Sequence, residues 1–185
     1  KTIMDDFGSG HATISNLMKL ELDGLKIDRS LISDIESHKT QQVVKAVHGL
    51  ATNALDEGAN GAIINLSSIA ARRTHPDLMG YSVTSAALDQ MTRSLAVSLA
   101  PHKIRVNSIA FGSVMSASMQ ATLKDNRSLR QDIEEHTPLN RIAPPTELTE
   151  TAQFLASEAS GFMTGQVLTL DGGRTLLDPV TAPVH

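Results

Sequence analysis

The chain predicts an α/β fold: an open, mostly parallel sheet of about five strands in a three-layer or partly covered arrangement. Three observations carry this. Short apolar stretches alternate with stretches of helical periodicity along the whole length. Ala62–Leu66 is apolar nearly throughout, as expected of a strand buried on both faces. The 185 residues give one sizeable core but are too few for a closed eight-stranded barrel, which needs roughly 200 or more.

The elements follow in order. Thr2–Met4 is the first strand, and Asp5-Asp6-Phe7-Gly8-Ser9-Gly10 is a turn opening a helix marked by Ile14, Leu17, Met18 and Leu20. Leu25–Asp28 alternates as a second strand. From Lys39 a longer helix carries Val43, Val47, Leu50, Ala51, Ala54 and Leu55 on one stripe, ending near Gly58. Ala62–Leu66 is the third strand. Tyr81–Ala100 is a strong helix stopped by Pro101, and Ile104–Ala110 is the fourth strand. Two helical pieces (about 116–125 and 128–136) and a third after Pro144-Pro145 lead to the strand Gln166–Leu170, which Asp171-Gly172-Gly173 turns off. With no repeat and no linker, residues 1–185 read as a single domain.

Composition narrows the function. Hydrophobic residues at 41% and charged residues at 19% describe a folded chain. The net charge of −4, with no basic run, excludes a phosphate-tracking nucleic-acid surface. One tyrosine and four phenylalanines are too few for a base-stacking platform. The absence of cysteine excludes disulfides, thiolate catalysis and Cys-ligated metals, and fits a cytoplasmic protein. No apolar run spans a bilayer and the amino end lacks a signal-peptide pattern, so no membrane partner is expected. The seven histidines show no pair at helical or zinc-finger spacing.

Two sets of motifs carry chemistry. Ile63-Ile64-Asn65-Leu66-Ser67-Ser68, Tyr81 thirteen positions after Ser68, Arg105-Val106-Asn107-Ser108-Ile109-Ala110 with Gly112, Pro138-Leu139-Asn140-Arg141, Phe154-Leu155-Ala156-Ser157 and Thr164-Gly165-Gln166 through Gly173 occur in order. Residues from about 54 onward thereby resemble the C-terminal half of a short-chain dehydrogenase/reductase, which implies a Rossmann-like sheet. The resemblance implies that Ser68 holds the substrate oxygen and Tyr81 transfers the proton. It places the segment with Asn107, Gly112 and Val114 under the nicotinamide of NAD(P). It also implies a lysine four residues after the tyrosine, where this chain has Ser85. A phenol titrates near ~10, and a serine supplies no cation to favour the phenolate. The family's glycine-rich dinucleotide turn is not found upstream of Ser68, Phe111 stands where proline is common, and Ser116 where threonine is.

The second set is Asp5-Asp6-Phe7-Gly8-Ser9-Gly10 with Leu25-Lys26-Ile27-Asp28-Arg29-Ser30. Residues up to about 53 thereby resemble the middle of an EAL-type cyclic-di-GMP phosphodiesterase, which implies Asp5 and Asp6 as metal ligands and Lys26 near the attacking water. The Glu-Ala-Leu signature and the remaining carboxylates of that family are absent. Hard cations want six oxygen ligands. Asp5 and Asp6 therefore read as turn residues or a weak, vestigial Mg²⁺ site.

The expectation from the two resemblances is an engineered chimera acting as a scaffold, with no cofactor. The alternative is a degenerate NAD(P)-dependent short-chain dehydrogenase/reductase with residual ligand binding. A homodimer through the helix Tyr81–Ala100 is also expected, because Leu88, Met91, Leu95 and Leu99 form one apolar stripe while Val83, Ala87 and Val97 add apolar surface on other sides.

Overall fold

The computed structural model describes residues 3–7, 24–27, 60–74 and 76–178. Five strands lie among them: β1 (Ile3–Phe7), β2 (Gly24–Ile27), β3 (Gly61–Ser68), β4 (Ile104–Phe111) and β5 (Val167–Leu170). The helices are α1 (Met79–Leu99), α2 (Ala117–Leu123), α3 (Arg127–Glu135) and α4 (Pro145–Ala156). The helices expected around residues 14–20 and from Lys39 lie outside the described residues.

All the described strand pairs are parallel, in two ladders: β1 with β2, and β3-β4-β5 with β4 in the centre. The five expected parallel strands are present in two described ladders, with β2 against β3. β1 also runs further than expected, so Asp5 and Asp6 fall inside a strand and not in a turn after it.

β4 is apolar enough to sit between two layers, and its alternation sorts the faces. Ile104 and Val106 pack with Leu95, Ala96 and Leu99 of α1, and Ile63 of β3 joins them. On the other face Arg105 reaches α4: its guanidinium donates to the carbonyls of Leu155 (2.9 Å) and Ser157 (3.2 Å) and to Ser160 Oγ (3.0 Å). A cation at a helix carboxyl end satisfies orphan carbonyls and complements the dipole, so Arg105 fastens α4 to the sheet.

The leucine stripe of α1 packs inside the chain. Leu88, Leu95 and Leu99 are buried and Met91 packs against the same cluster. The apolar face that the periodicity predicts is covered by the chain's own sheet. Val83 (62% exposed) and Val97 (78%) stand on the outside of α1.

Candidate functional site

The carboxyl ends of β3, β4 and β5 meet three loops, and Ser68, singled out by spacing, is at this edge. Ser68 is the last residue of β3 and is buried. Its Oγ accepts from the Ala70 N–H at 3.1 Å, capping a short turn over Ile69–Ala71. As an acceptor there, the hydroxyl keeps its own proton for another oxygen. Tyr81 is in the first turn of α1 and half-buried. β3 and α1 are therefore the elements that present the pair, joined by the loop through residues 72–78.

Ser85 lies one turn further along α1 and is buried. Its Oγ donates to the Tyr81 carbonyl at 2.8 Å, and its own carbonyl accepts from Ser67 Oγ at 3.3 Å. The side chain at this position is thus folded back onto its own helix. It offers neither charge nor reach toward a ribose, so the residues present do not fit the ribose end of a nicotinamide cofactor.

The segment after β4 is held from several sides. Asn107, 1% exposed, donates from Nδ2 to the Met163 carbonyl (2.8 Å) and accepts at Oδ1 from the Gln166 N–H (3.0 Å). Both ends of its amide are engaged in tying β4 to the turn before β5. Gly112 donates its N–H to the Leu170 carbonyl at 2.9 Å. A Cβ on it would meet Asp171 Cβ at 3.0 Å and Cα at 3.2 Å, so glycine is what lets the two strand ends approach. Val114 is buried and bridges in parallel to Ala143. Gly112 and Val114 thus shape the loop by packing and backbone contact.

Asp171-Gly172-Gly173 is more than a turn, because its carboxylate organises the residues that follow. Asp171 accepts from the Gly173 N–H (2.9 Å) and the Thr175 N–H (2.8 Å). Partial burial opposes its ionisation. The hydrogen bonds from Thr175 and Gly173 and the nearby Arg174 guanidinium overcome that, so the carboxyl is held below its ordinary range. A lowered value makes the carboxylate stabilising at neutral pH, a contribution lost as pH falls below about 4 through the folded-state value. Asp171→Asn is expected to flatten this acid limb in urea midpoints measured across pH. An unchanged slope contradicts the role.

Beyond Asp171, on the α4 side of the sheet, a cleft of about 320 Å³ is lined by Leu139, Arg141, Glu147, Thr151 and Leu170 among others. Arg141 and Glu147 form a two-point ion pair across it (2.6 and 2.9 Å). The hydrogen bond from Arg141 holds the Glu147 carboxyl low. Among the described residues no group of three or more His, Asp or Glu side chains could hold a metal ion. No helix among them is long and apolar enough to cross a membrane.

Comparison with known proteins agrees with this arrangement. The profile of a family described as enoyl-(acyl carrier protein) reductase, of the short-chain dehydrogenase/reductase type, matches residues 12–175. The chain is 36% identical over 136 residues to an uncharacterised oxidoreductase of Mycobacterium tuberculosis, covering 71% of this chain and 51% of the relative. It is 32% identical over 160 residues to carbonyl reductase [NADPH] 2 of Sus scrofa, covering 85% and 63%. A crystal structure of a short chain dehydrogenase family protein from Francisella tularensis superposes with a TM-score of 0.70 at 28% identity, covering 89% of this chain and 75% of that one. The chain spans about half the length of the curated relatives it matches. With the profile continuous over residues 12–175, the chain belongs to the short-chain dehydrogenase/reductase family.

Proposed function

We propose that the chain is a degenerate NAD(P)-type short-chain oxidoreductase that binds a carbonyl or hydroxyl ligand at Ser68 and Tyr81 but lacks the cation for efficient proton transfer. One observation carries the reading. Ser68 ends β3 with its proton uncommitted to the Ala70 contact, Tyr81 opens α1, and the residue one turn on is a serine bonded back into the helix. A hydroxyl donor polarises a carbonyl oxygen, and a phenol one loop away is the proton source. Support comes also from the pig relative, which is named for carbonyl reduction with NADPH.

The chimera expectation has less behind it, because the family profile is continuous from residue 12 and takes in most of the segment attributed to the phosphodiesterase. No Mg²⁺ role is proposed for Asp5 and Asp6. The proposed homodimer would use the outer face of α1, with Met79, Val83 and Val97, now that the leucine stripe is internal. A mass holding at 19.8 kDa in light scattering over a concentration series rules that dimer out.

The chain has one tyrosine and no tryptophan, so its intrinsic fluorescence reports on Tyr81 alone. Small ketones and aldehydes are expected to change that fluorescence saturably, and Ser68→Ala to weaken the response. A panel giving only linear, collisional quenching overturns the reading. NADH and NADPH consumption with the same panel is expected to stay at the protein-free rate.

A further inference from the structure

Between Ser68 and Tyr81 the chain passes through Arg72 and Arg73, which no part of the site described so far uses. Arg73 Nη2 donates to two backbone carbonyls, those of Thr175 and Leu177, each at 2.7 Å and more than a hundred residues along the chain. One nitrogen with two N–H groups suits this contact, and hydrogen bonds from a charged donor are the stronger kind. We infer that Arg73 is a positioning residue that pins the segment after β5, residues 171–177, onto the loop leading from Ser68 to Tyr81.

The segment itself shows why a pin is needed. Its largest tip residue, Leu176, is 87% exposed, and Leu177 is only half-buried, so apolar burial does little to hold it. What holds it is polar. Thr175 and Gly173 donate to the Asp171 carboxylate, Leu176 donates to the Gly173 carbonyl at 2.9 Å, and Arg174 Nη1 reaches Ser113 Oγ at 3.1 Å. Leu139 donates to the Gly172 carbonyl at 3.1 Å. These contacts tie the segment to itself, to the loop after β4 and to the turn near Leu139. Arg73 and Arg72 tie the carboxyl edge of β5 and its trailing segment back to the loop after Ser68, Arg72 through Thr169 Oγ1 at 3.1 Å. A segment fastened by a few polar contacts opens locally without unfolding the core. Resting on the functional reading above, the pin also sets how Ser68 and Tyr81 stand toward a carbonyl, because the pinned loop connects them.

Hydrogen exchange on the whole chain tests this, comparing Arg73→Ala and Arg73→Lys with Arg93→Ala, an exposed arginine whose side chain meets Gln90 at 3.4 Å. In Arg73→Ala the amides of Gly173, Thr175 and Leu176 are expected to exchange about tenfold faster or more, while Ser108 and Ile109 in β4 keep their protection. Arg73→Lys restores part of the protection, and Arg93→Ala matches the parent. Acrylamide quenching of Tyr81 fluorescence is expected to rise about twofold in Arg73→Ala only. Unchanged exchange at Thr175 and Leu176 overturns the pin. Acceleration spread evenly into Ser108 and Ile109 also overturns it, since Arg73 is then an ordinary stability residue. Faster exchange with unchanged quenching removes its bearing on the site. Failure of every ketone to bind, with the exchange result intact, overturns the functional reading and leaves the pin standing.

Discussion

Replacing Ser85 with lysine is expected to move the alkaline titration of Tyr81 to lower pH by about one unit or more, read from phenolate absorbance. Tyr81 is the chain's single tyrosine, so the signal has one source. Residue 85 lies one turn from residue 81 on the same face of α1, close enough for an ammonium to favour the phenolate. The present serine does the opposite of reaching outward: its hydroxyl is bound to the Tyr81 carbonyl. Ser85→Met, which adds bulk without charge, is the control and is expected to leave the titration where it was. Equal shifts in both variants would make the effect one of packing. A correctly poised acid–base group is worth about 10²–10⁴-fold in rate. Without the glycine-rich dinucleotide turn, restoring the lysine alone is not expected to raise NADPH-dependent ketone reduction above the protein-free rate, and a parent chain already reducing ketones with NADPH would defeat the proposal.

Asn107→Ala should give the largest loss of stability among the site substitutions, about 2–4 kcal/mol. The reason is that two backbone groups lose their partner at once. The Met163 carbonyl loses a donor and the Gln166 N–H an acceptor, at a side chain that is 1% exposed. Each orphaned group costs roughly 1–3 kcal/mol, and a chain of this size loses roughly 2–4 °C per kcal/mol, so Tm should fall by about 5–10 °C. Asn107→Asp keeps the acceptor for Gln166 but sets an oxygen against the Met163 carbonyl, and should also destabilise. An Asn107→Ala protein with unchanged Tm but lost ligand response would return the residue to a binding role.

Local order was written in the sequence wherever one face of an element is apolar or one residue type punctuates it. The alternation in Ile104–Ala110 and the unbroken run at Ala62–Leu66 located β4 and β3 to within two residues at each end. Pro101 ended α1 close to where the chain leaves it. The spacing of Ser68 and Tyr81 matches a strand end and a helix start. Other features were decided only by tertiary structure. The stripe of Leu88, Leu95 and Leu99 reads the same whether a partner or the chain's own sheet covers it, because periodicity records which face is apolar and not what meets it. The turn of the Ser85 hydroxyl onto Tyr81, the double engagement of Asn107 and the approach of Gly112 to Asp171 depend on rotamers and close contacts that no spacing encodes. Arg73 is the extreme case: its carbonyl partners lie more than a hundred residues away and are backbone atoms, identical in every residue type, so nothing in their side chains could announce the contact.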